Sequence, residues 1–322
     1  MPVIPALQAL LNSMPSTGLV DLADLPSVRQ AGLEGADALA ALVALEPLDV
    51  GSVHTAMVPV DGGEIKVRIY QPASPGPHPM HVFYHGGGWM AGTIEEIFVD
   101  NACRERTALA GYVTVAVEYR LAPEFKFPIP MEDSYAALLW TIEHAADYDG
   151  DPEYVTIGGG SAGGNLAAAI ALKARNENGP RISFQVLEVP ALDLTLGSPS
   201  VEQYGGGDYP LPKSEIDLCV TGYLRAPEEA NNPYVSPLLA EDLSNLPPAF
   251  IISSEFDPLQ MDGSRYAQRL QEAGVQATFS LGKGHIHGSS QFTKLLPEAV
   301  AWRDQVIGAL RTHAADHRGV TA

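Results

Sequence analysis

The chain has 322 residues, enough to bury a large single core, and its 39 acidic against 19 basic side chains give a formal charge of −20, which excludes nucleic acid and anionic membrane surfaces as partners. Cys103 and Cys219 stand far apart with neither Cys-x-x-Cys nor metal-ligand spacing, so both read as reduced packing thiols. The first residues lack the basic stretch and cleavage site of a secretory signal and no apolar run reaches the ~20 residues of a membrane span, so a cytoplasmic enzyme without stable membrane insertion is expected.

Residues 1–50 carry apolar positions at helical spacing, Leu7, Leu10 and Leu11, then Leu39, Leu42, Val43 and Leu45, and are expected to form amphipathic helices ahead of any strand. The period changes at residues 53–60, which with the turn Asp61-Gly62-Gly63 and residues 64–70 read as an antiparallel hairpin. After a Pro-rich loop at 72–79, the short apolar strand 81–84 runs into His85-Gly86-Gly87-Gly88-Trp89. Three successive glycines at the carboxyl end of a strand present backbone N–H groups that no side chain shields, as the binding of an oxyanion requires.

Residues 112–117 are a continuous apolar, β-branched run of the kind found inside a parallel sheet. A helix is expected from about 131 to 146, a strand entering Gly158, a helix over 166–175 and a strand over 183–189. Residues 195–240, rich in Gly, Pro, Tyr and Asn, break this rhythm and read as an insertion covering the carboxyl edge of the sheet. Strands at 248–254 and 276–281, a helix at 265–270 and a closing helix over about 295–310 complete the chain. Strands alternating with helices imply βαβ crossovers and one mostly parallel α/β domain.

The stretch Gly158-Gly159-Gly160-Ser161-Ala162-Gly163-Gly164-Asn165 is the centre of this order. A serine that projects its hydroxyl from a strand-to-helix turn is held in a strained backbone conformation, and the residues two before and two after it must be nearly free of side chain. Gly159 and Gly163 meet that need. In a chain with 31 glycines the string alone is a moderate signal; its weight comes from the β-branched Val155, Thr156 and Ile157 before it and the helix-forming run after it.

A serine hydroxyl is a weak nucleophile without a general base, and the base needs an orienting carboxylate. After the strand ending at Ser254 comes Glu255-Phe256-Asp257-Pro258-Leu259; after the strand near Leu281 comes Gly282-Lys283-Gly284-His285-Ile286-His287-Gly288. Among the acids, Asp257 is favoured over Glu255 and Asp262 because Pro258 stiffens the backbone beside it. His287 is favoured over His285 because Gly288 leaves room beside it, with His285 read as a pocket-lining or solvated residue. His54, His78, His81, His144, His313 and His317 are assigned no chemistry and no partner, and His85 is assigned the structural task of holding the glycine loop. The order Ser161, Asp257, His287 is that of the α/β-hydrolase triad.

These strings, with Tyr119-Arg120-Leu121-Ala122-Pro123-Glu124, make the sequence resemble the bacterial hormone-sensitive-lipase-like carboxylesterases of the α/β-hydrolase superfamily over residues 50–315. The resemblance implies an α/β-hydrolase fold, a mostly parallel eight-stranded sheet flanked by helices. It divides the chain into N-terminal cap helices (1–50), core (51–194), a cap insertion (195–240) and the C-terminal part of the core (241–322). It implies Ser161 as nucleophile, Asp257 as acid, His287 as base, and Gly87, Gly88 and Ala162 as oxyanion N–H donors, with Gly86 completing the motif. It also implies a small-molecule ester of short acyl chain as substrate, no cofactor and no metal, and a homodimer through the edge strand at 276–281. An amidase or lactamase on the same triad is the alternative; the plant gibberellin receptors, of similar fold but without the triad histidine, are disfavoured by His287. Two positions depart from the family: Gly160 stands where an Asp usually precedes the serine, and Ser289 where many members carry an aromatic, a change expected at the floor of the pocket.

Overall fold

The computed structural model of the protein describes residues 2–13 and 24–317. Part of the expected N-terminal helical stretch, residues 14–23, lies outside the described residues. Two helices flank it, α1 (Pro5–Ser13) and α2 (Leu25–Val43). The second starts where its sequence says it should: Asp24 accepts the Ser27 amide through its side chain and Pro26 occupies the first turn.

The hairpin forms as β1 (Ser52–Val60) and β2 (Gly63–Gln71), in register from Ser52 opposite Gln71 to Val60 opposite Gly63. Then follow β3 (His78–Tyr84), α3 (Ile97–Ala110), β4 (Val113–Glu118), α4 (Ile129–Glu143), β5 (Gly150–Gly160), α5 (Ala162–Asn176) and β6 (Phe184–Glu188). The insertion holds α6 (Pro199–Tyr204) and α7 (Lys213–Tyr223), and the core resumes with β7 (Ala249–Phe256), α8 (Gln260–Glu272), β8 (Ala277–Ile286) and α9 (Pro297–His317).

Eight strands form one sheet in the order β1-β2-β4-β3-β5-β6-β7-β8. From β4 through β8 every pairing is parallel; only the pairings made by β2 are antiparallel. This is an α/β-hydrolase fold. The central strands β3 and β4 are buried almost throughout, as parallel strands covered on both faces must be. Helices α4, α5 and α8 cover one face, where the alanine-rich side of α5 packs on Val155 and Ile157; α3 and α9 cover the other, where Trp302, Val306 and Leu310 meet Phe184, Val186 and Phe250.

Helix α3 was not expected from the sequence. Its buried face includes Arg106 and Thr107 beside Phe98, Val99 and Cys103, so polar residues interrupt the apolar period that marks an amphipathic helix. Helix α8 begins five residues before the expected 265, directly after the Asp257-Pro258-Leu259 turn.

Candidate active site

The carboxyl ends of β3, β5, β7 and β8 converge on one cavity of about 790 Å³, which α2 and α7 overhang. Ser161 sits at the tip of the β5–α5 turn with φ 55° and ψ −117°, a conformation that a residue with a side chain adopts only under constraint. The turn is so tight that a Cβ on Gly163 would lie 1.9 Å from the Tyr84 carbonyl oxygen, and one on Gly159 2.3 Å from it. These two glycines are thus dictated by the approach of β3 to the turn.

The loops after β7 and β8 bring the other predicted residues to the serine. The ring of His287 places Nε2 3.2 Å from Ser161 Oγ and Nδ1 2.7 Å from Asp257 Oδ2. Asp257 is fully buried, and its second oxygen accepts the Leu259 amide at 2.8 Å, which fixes the carboxylate plane. Ser254 on β7 donates to the Ile286 carbonyl at 3.0 Å and so ties the acid loop to the histidine loop. Burial alone would push the His287 imidazole down; the charge and hydrogen bond of Asp257, with the Glu215 carboxylate of α7 adding to them, carry it above its ordinary value instead.

The rivals are occupied elsewhere. Glu255 accepts the Gly284 amide at 2.7 Å, and Asp262 accepts the amides of Leu192 and Asp193 at 2.8 and 3.0 Å, fastening the loop after β6 to α8. His285, expected to line the pocket or face solvent, is instead buried: its Nδ1 pairs with Ser289 Oγ at 2.8 Å and its ring meets Trp302 edge-on. Ser289 is likewise buried and donates to the Ile286 carbonyl at 2.9 Å, so it braces the histidine loop and is not part of the pocket floor.

At the end of β3, Gly87 and Gly88 have φ +111° and +61°, and among the described residues no acceptor takes their amide hydrogens. The loop is clamped from below: His85 Nδ1 lies 2.8 Å from the Gly86 carbonyl, its ring stacks on Tyr119 at 4.3 Å, and the Tyr119 hydroxyl donates to the His85 carbonyl at 2.8 Å. Burial pushes the His85 imidazole down, so the clamp is neutral. From above, Trp89 stacks on Tyr223 of α7 at 4.6 Å.

A family profile described as alpha/beta hydrolase fold matches residues 81–291, which span both the glycine loop and the histidine loop. The chain belongs to the alpha/beta hydrolase fold family. It is 40% identical over 262 residues to the carboxylic ester hydrolase LipN of Mycobacterium tuberculosis, covering 80% of this chain and 69% of that protein. The carboxylesterase NlhH of the same organism is 35% identical over 314 residues, 95% of each chain. Among solved structures, a hyperthermophilic esterase from the archaeon Pyrobaculum calidifontis superposes with a TM-score of 0.90 at 36% identity, covering 98% of this chain and 99% of that one.

Several histidines of this alpha/beta hydrolase that were given no partner have one. His81 is buried against Thr156 Oγ1 at 2.8 Å, His78 reaches the Ser74 carbonyl, His54 Ser52, His144 the Trp140 carbonyl, and His313 pairs with the Tyr154 hydroxyl. The side chain of His317 lies outside the described residues. Burial pushes the thiols of Cys103 and Cys219 up to about 12 and about 11, which keeps both protonated, and both are free.

Sequence reasoning missed three contributors. Arg29 of α2 donates to the Met90 and Ala122 carbonyls and pairs with Glu124. Glu215 faces the cavity from α7. Glu188 closes β6 beside Gly160 and Ser161. Each acts across a long stretch of chain, and in the sequence the only trace is a charged residue within or next to an apolar element. Among the described residues no cluster of His, Cys, Asp and Glu could hold a metal, and no helix is long and apolar enough to cross a membrane.

Proposed function

We propose that the protein is a serine carboxylesterase acting on short-acyl esters through an acyl-enzyme. The observation that carries this reading is the continuous path Ser161 Oγ, His287 Nε2, His287 Nδ1, Asp257 Oδ2, with links of 3.2 and 2.7 Å. The carboxylesterase relatives support the same activity, carboxylic ester hydrolysis.

In this mechanism the Ser161 hydroxyl attacks the ester carbonyl carbon as its proton passes to His287 Nε2. Asp257 accepts the Nδ1 hydrogen, which selects the tautomer whose Nε2 is free to receive that proton and stabilises the imidazolium that results. The negative charge that develops on the carbonyl oxygen is held by the amides of Gly87, Gly88 and Ala162, at the N-terminus of α5. Nε2 then returns the proton to the departing alkoxide, leaving Ser161 acylated. A water molecule repeats the attack, giving its proton to Nε2, and release of the carboxylic acid restores the serine.

The N-terminal helices and the insertion at 195–240 serve as the cap, since residues of α2 and α7 line the cavity opposite the nucleophile. β8 ends the sheet, and while Ile4 donates to its Gly284 carbonyl, the outer edge over the expected stretch 276–281 pairs with no further strand among the described residues and is assigned as the pairing surface for a second copy; light scattering that finds only monomer would remove this assignment.

Ser161→Ala tests the reaction. Turnover of p-nitrophenyl acetate should fall at least about 10⁴-fold, the scale of losing a triad nucleophile. Retention of activity by the purified, folded variant overturns the assignment.

A further inference from the structure

The sheet face beneath α3 and α9 contains an arrangement next to the nucleophile that the reaction above does not use. Register-paired residues of a parallel sheet project to the same side. Phe83 of β3 pairs with Gly158, and Gly160 pairs with Glu188 of β6. The two glycines therefore leave a bare stripe along β5 between an aromatic ring and a carboxylate. Arg106 of α3 lies across this stripe: its guanidinium carbon is 4.6 Å from the centroid of the Phe83 ring, and its Nη2 is ion-paired with Glu188 Oε1.

The other oxygen of Glu188 accepts the Trp302 indole N–H of α9 at 2.8 Å. Both side chains are well shielded, with 4% of Arg106 and 16% of Glu188 exposed. The main chain of Glu188 meanwhile holds the nucleophile directly, since its carbonyl accepts the Ser161 amide at 2.9 Å. Trp302 also packs edge-on against His285, two residues before His287. One carboxylate thus links the turn that carries the serine to the helix that backs the histidine loop.

Space does not explain Gly160. A Cβ there would meet only the Glu188 carbonyl oxygen, at 3.9 Å, an ordinary contact, and the residue has no left-handed φ. What the site lacks is a reason for a second acid. We propose that Glu188 is the positioning residue of the nucleophile turn, its carboxylate standing on the same sheet face as the bare Gly160 with which it pairs. Its carboxylate, fixed by Arg106 and Trp302, anchors the end of β6, and the anchored carbonyl holds the amide of the strained serine. This assignment rests on Ser161 being the nucleophile.

The test is to move the acid. Glu188→Gln keeps the shape and the acceptor for Trp302 but removes the ion pair. It should lower kcat on p-nitrophenyl acetate roughly tenfold with KM within about twofold, the pattern of a displaced reacting group with an intact binding pocket. The rate at which a phosphonate titrant labels Ser161 should fall in parallel. Adding Gly160→Asp to Glu188→Gln should restore more than half of the lost kcat and labelling rate, whereas Gly160→Asp alone should lower both by crowding two acids on Arg106. Trp302→Phe, which loses the N–H donor together with part of the buried indole ring, should show a loss of the same kind and serves if Glu188→Gln does not fold. Wild-type kcat and labelling in Glu188→Gln, or in Trp302→Phe where that variant stands in, overturns the proposal, as does a double variant no better than Glu188→Gln. If Ser161→Ala is itself active the nucleophile assignment fails first; if it is inactive while Glu188→Gln is unimpaired, only the positioning role fails.

Discussion

Arg29 Nε donates to the Met90 carbonyl at 2.7 Å, two residues beyond Gly88, the last glycine of the loop after β3. The same guanidinium donates to the Ala122 carbonyl at 2.8 Å and to both oxygens of Glu124 at 2.8 Å, so one side chain pins α2 to two loops of the core. The pair with Glu124 is partly exposed and contributes little by itself. The bonds to the two carbonyls matter more, because they set where α2 sits over the cavity.

Arg29→Ala should therefore loosen α2 over the cavity. KM for p-nitrophenyl butyrate is expected to rise about five- to tenfold, with a smaller change in kcat, the signature of lost ground-state binding. Arg29→Lys, which cannot reproduce the fork of donors, should recover only part of the loss. Steady-state kinetics of the two variants decide this; an unchanged KM in Arg29→Ala would show that α2 is held by its apolar contacts alone.

Gly88 and Cys219 make a second junction, between the glycine loop and α7. A Cβ on Gly88 would lie 2.5 Å from Cys219 Sγ, and Gly88 has φ +61°. Gly88→Ala is expected to displace the amide proposed to hold the oxyanion and lower kcat by about 10²- to 10³-fold. Gly111 provides the control: it has φ +77°, caps α3 and has nothing within 4 Å of where a methyl group would stand. Gly111→Ala should cost about 1 kcal/mol of stability and leave kcat alone, so thermal melts and kinetics of the two variants separate strain from catalysis.

Because Glu215 helps to raise the His287 pKa, its removal should lower it. In the proposed mechanism His287 works as a base in its neutral form, so the acidic limb of kcat/KM should follow its pKa. In Glu215→Gln that limb should move to lower pH, giving more activity on the acid side. Glu215 is exposed, so the difference between variant and wild type should shrink as salt is added. A pH profile of kcat/KM at two ionic strengths measures both effects; a limb that stays in place would mean that Glu215 does not act on the base.

The overhanging helices limit the cavity, so a p-nitrophenyl series should favour acetate and butyrate over laurate and palmitate. Highest kcat/KM on palmitate would contradict the short-acyl assignment.

Much of this architecture was legible in the chain because it rests on local chemistry. β-branched runs read as buried strands, and they are. The glycines flanking Ser161 are demanded by a turn that passes within contact of the Tyr84 carbonyl, and a demand of that kind leaves its mark within a few residues. Asp257 and His287 could be singled out because each follows a strand. Helix α3 stayed hidden because Arg106 occupies its buried face, and a buried charge looks like an exposed one until its partner is known.

By itself the sequence determined the fold class and the order in which Ser161, Asp257 and His287 follow their strands, since backbone sterics and apolar periodicity act between near neighbours; β8 runs to Ile286, five residues beyond the expected end at 281. The tertiary structure shows what separates His285 from the His287 that the sequence favoured: the ring of the first is taken by Ser289 and Trp302, while the second lies past the end of β8, within reach of Ser161 and Asp257. It alone joined Arg106 to Glu188, 82 positions apart, across the bare stripe at Gly160. Pairings of that kind depend on which strands lie side by side and which helix covers them, and no local pattern in the chain records it.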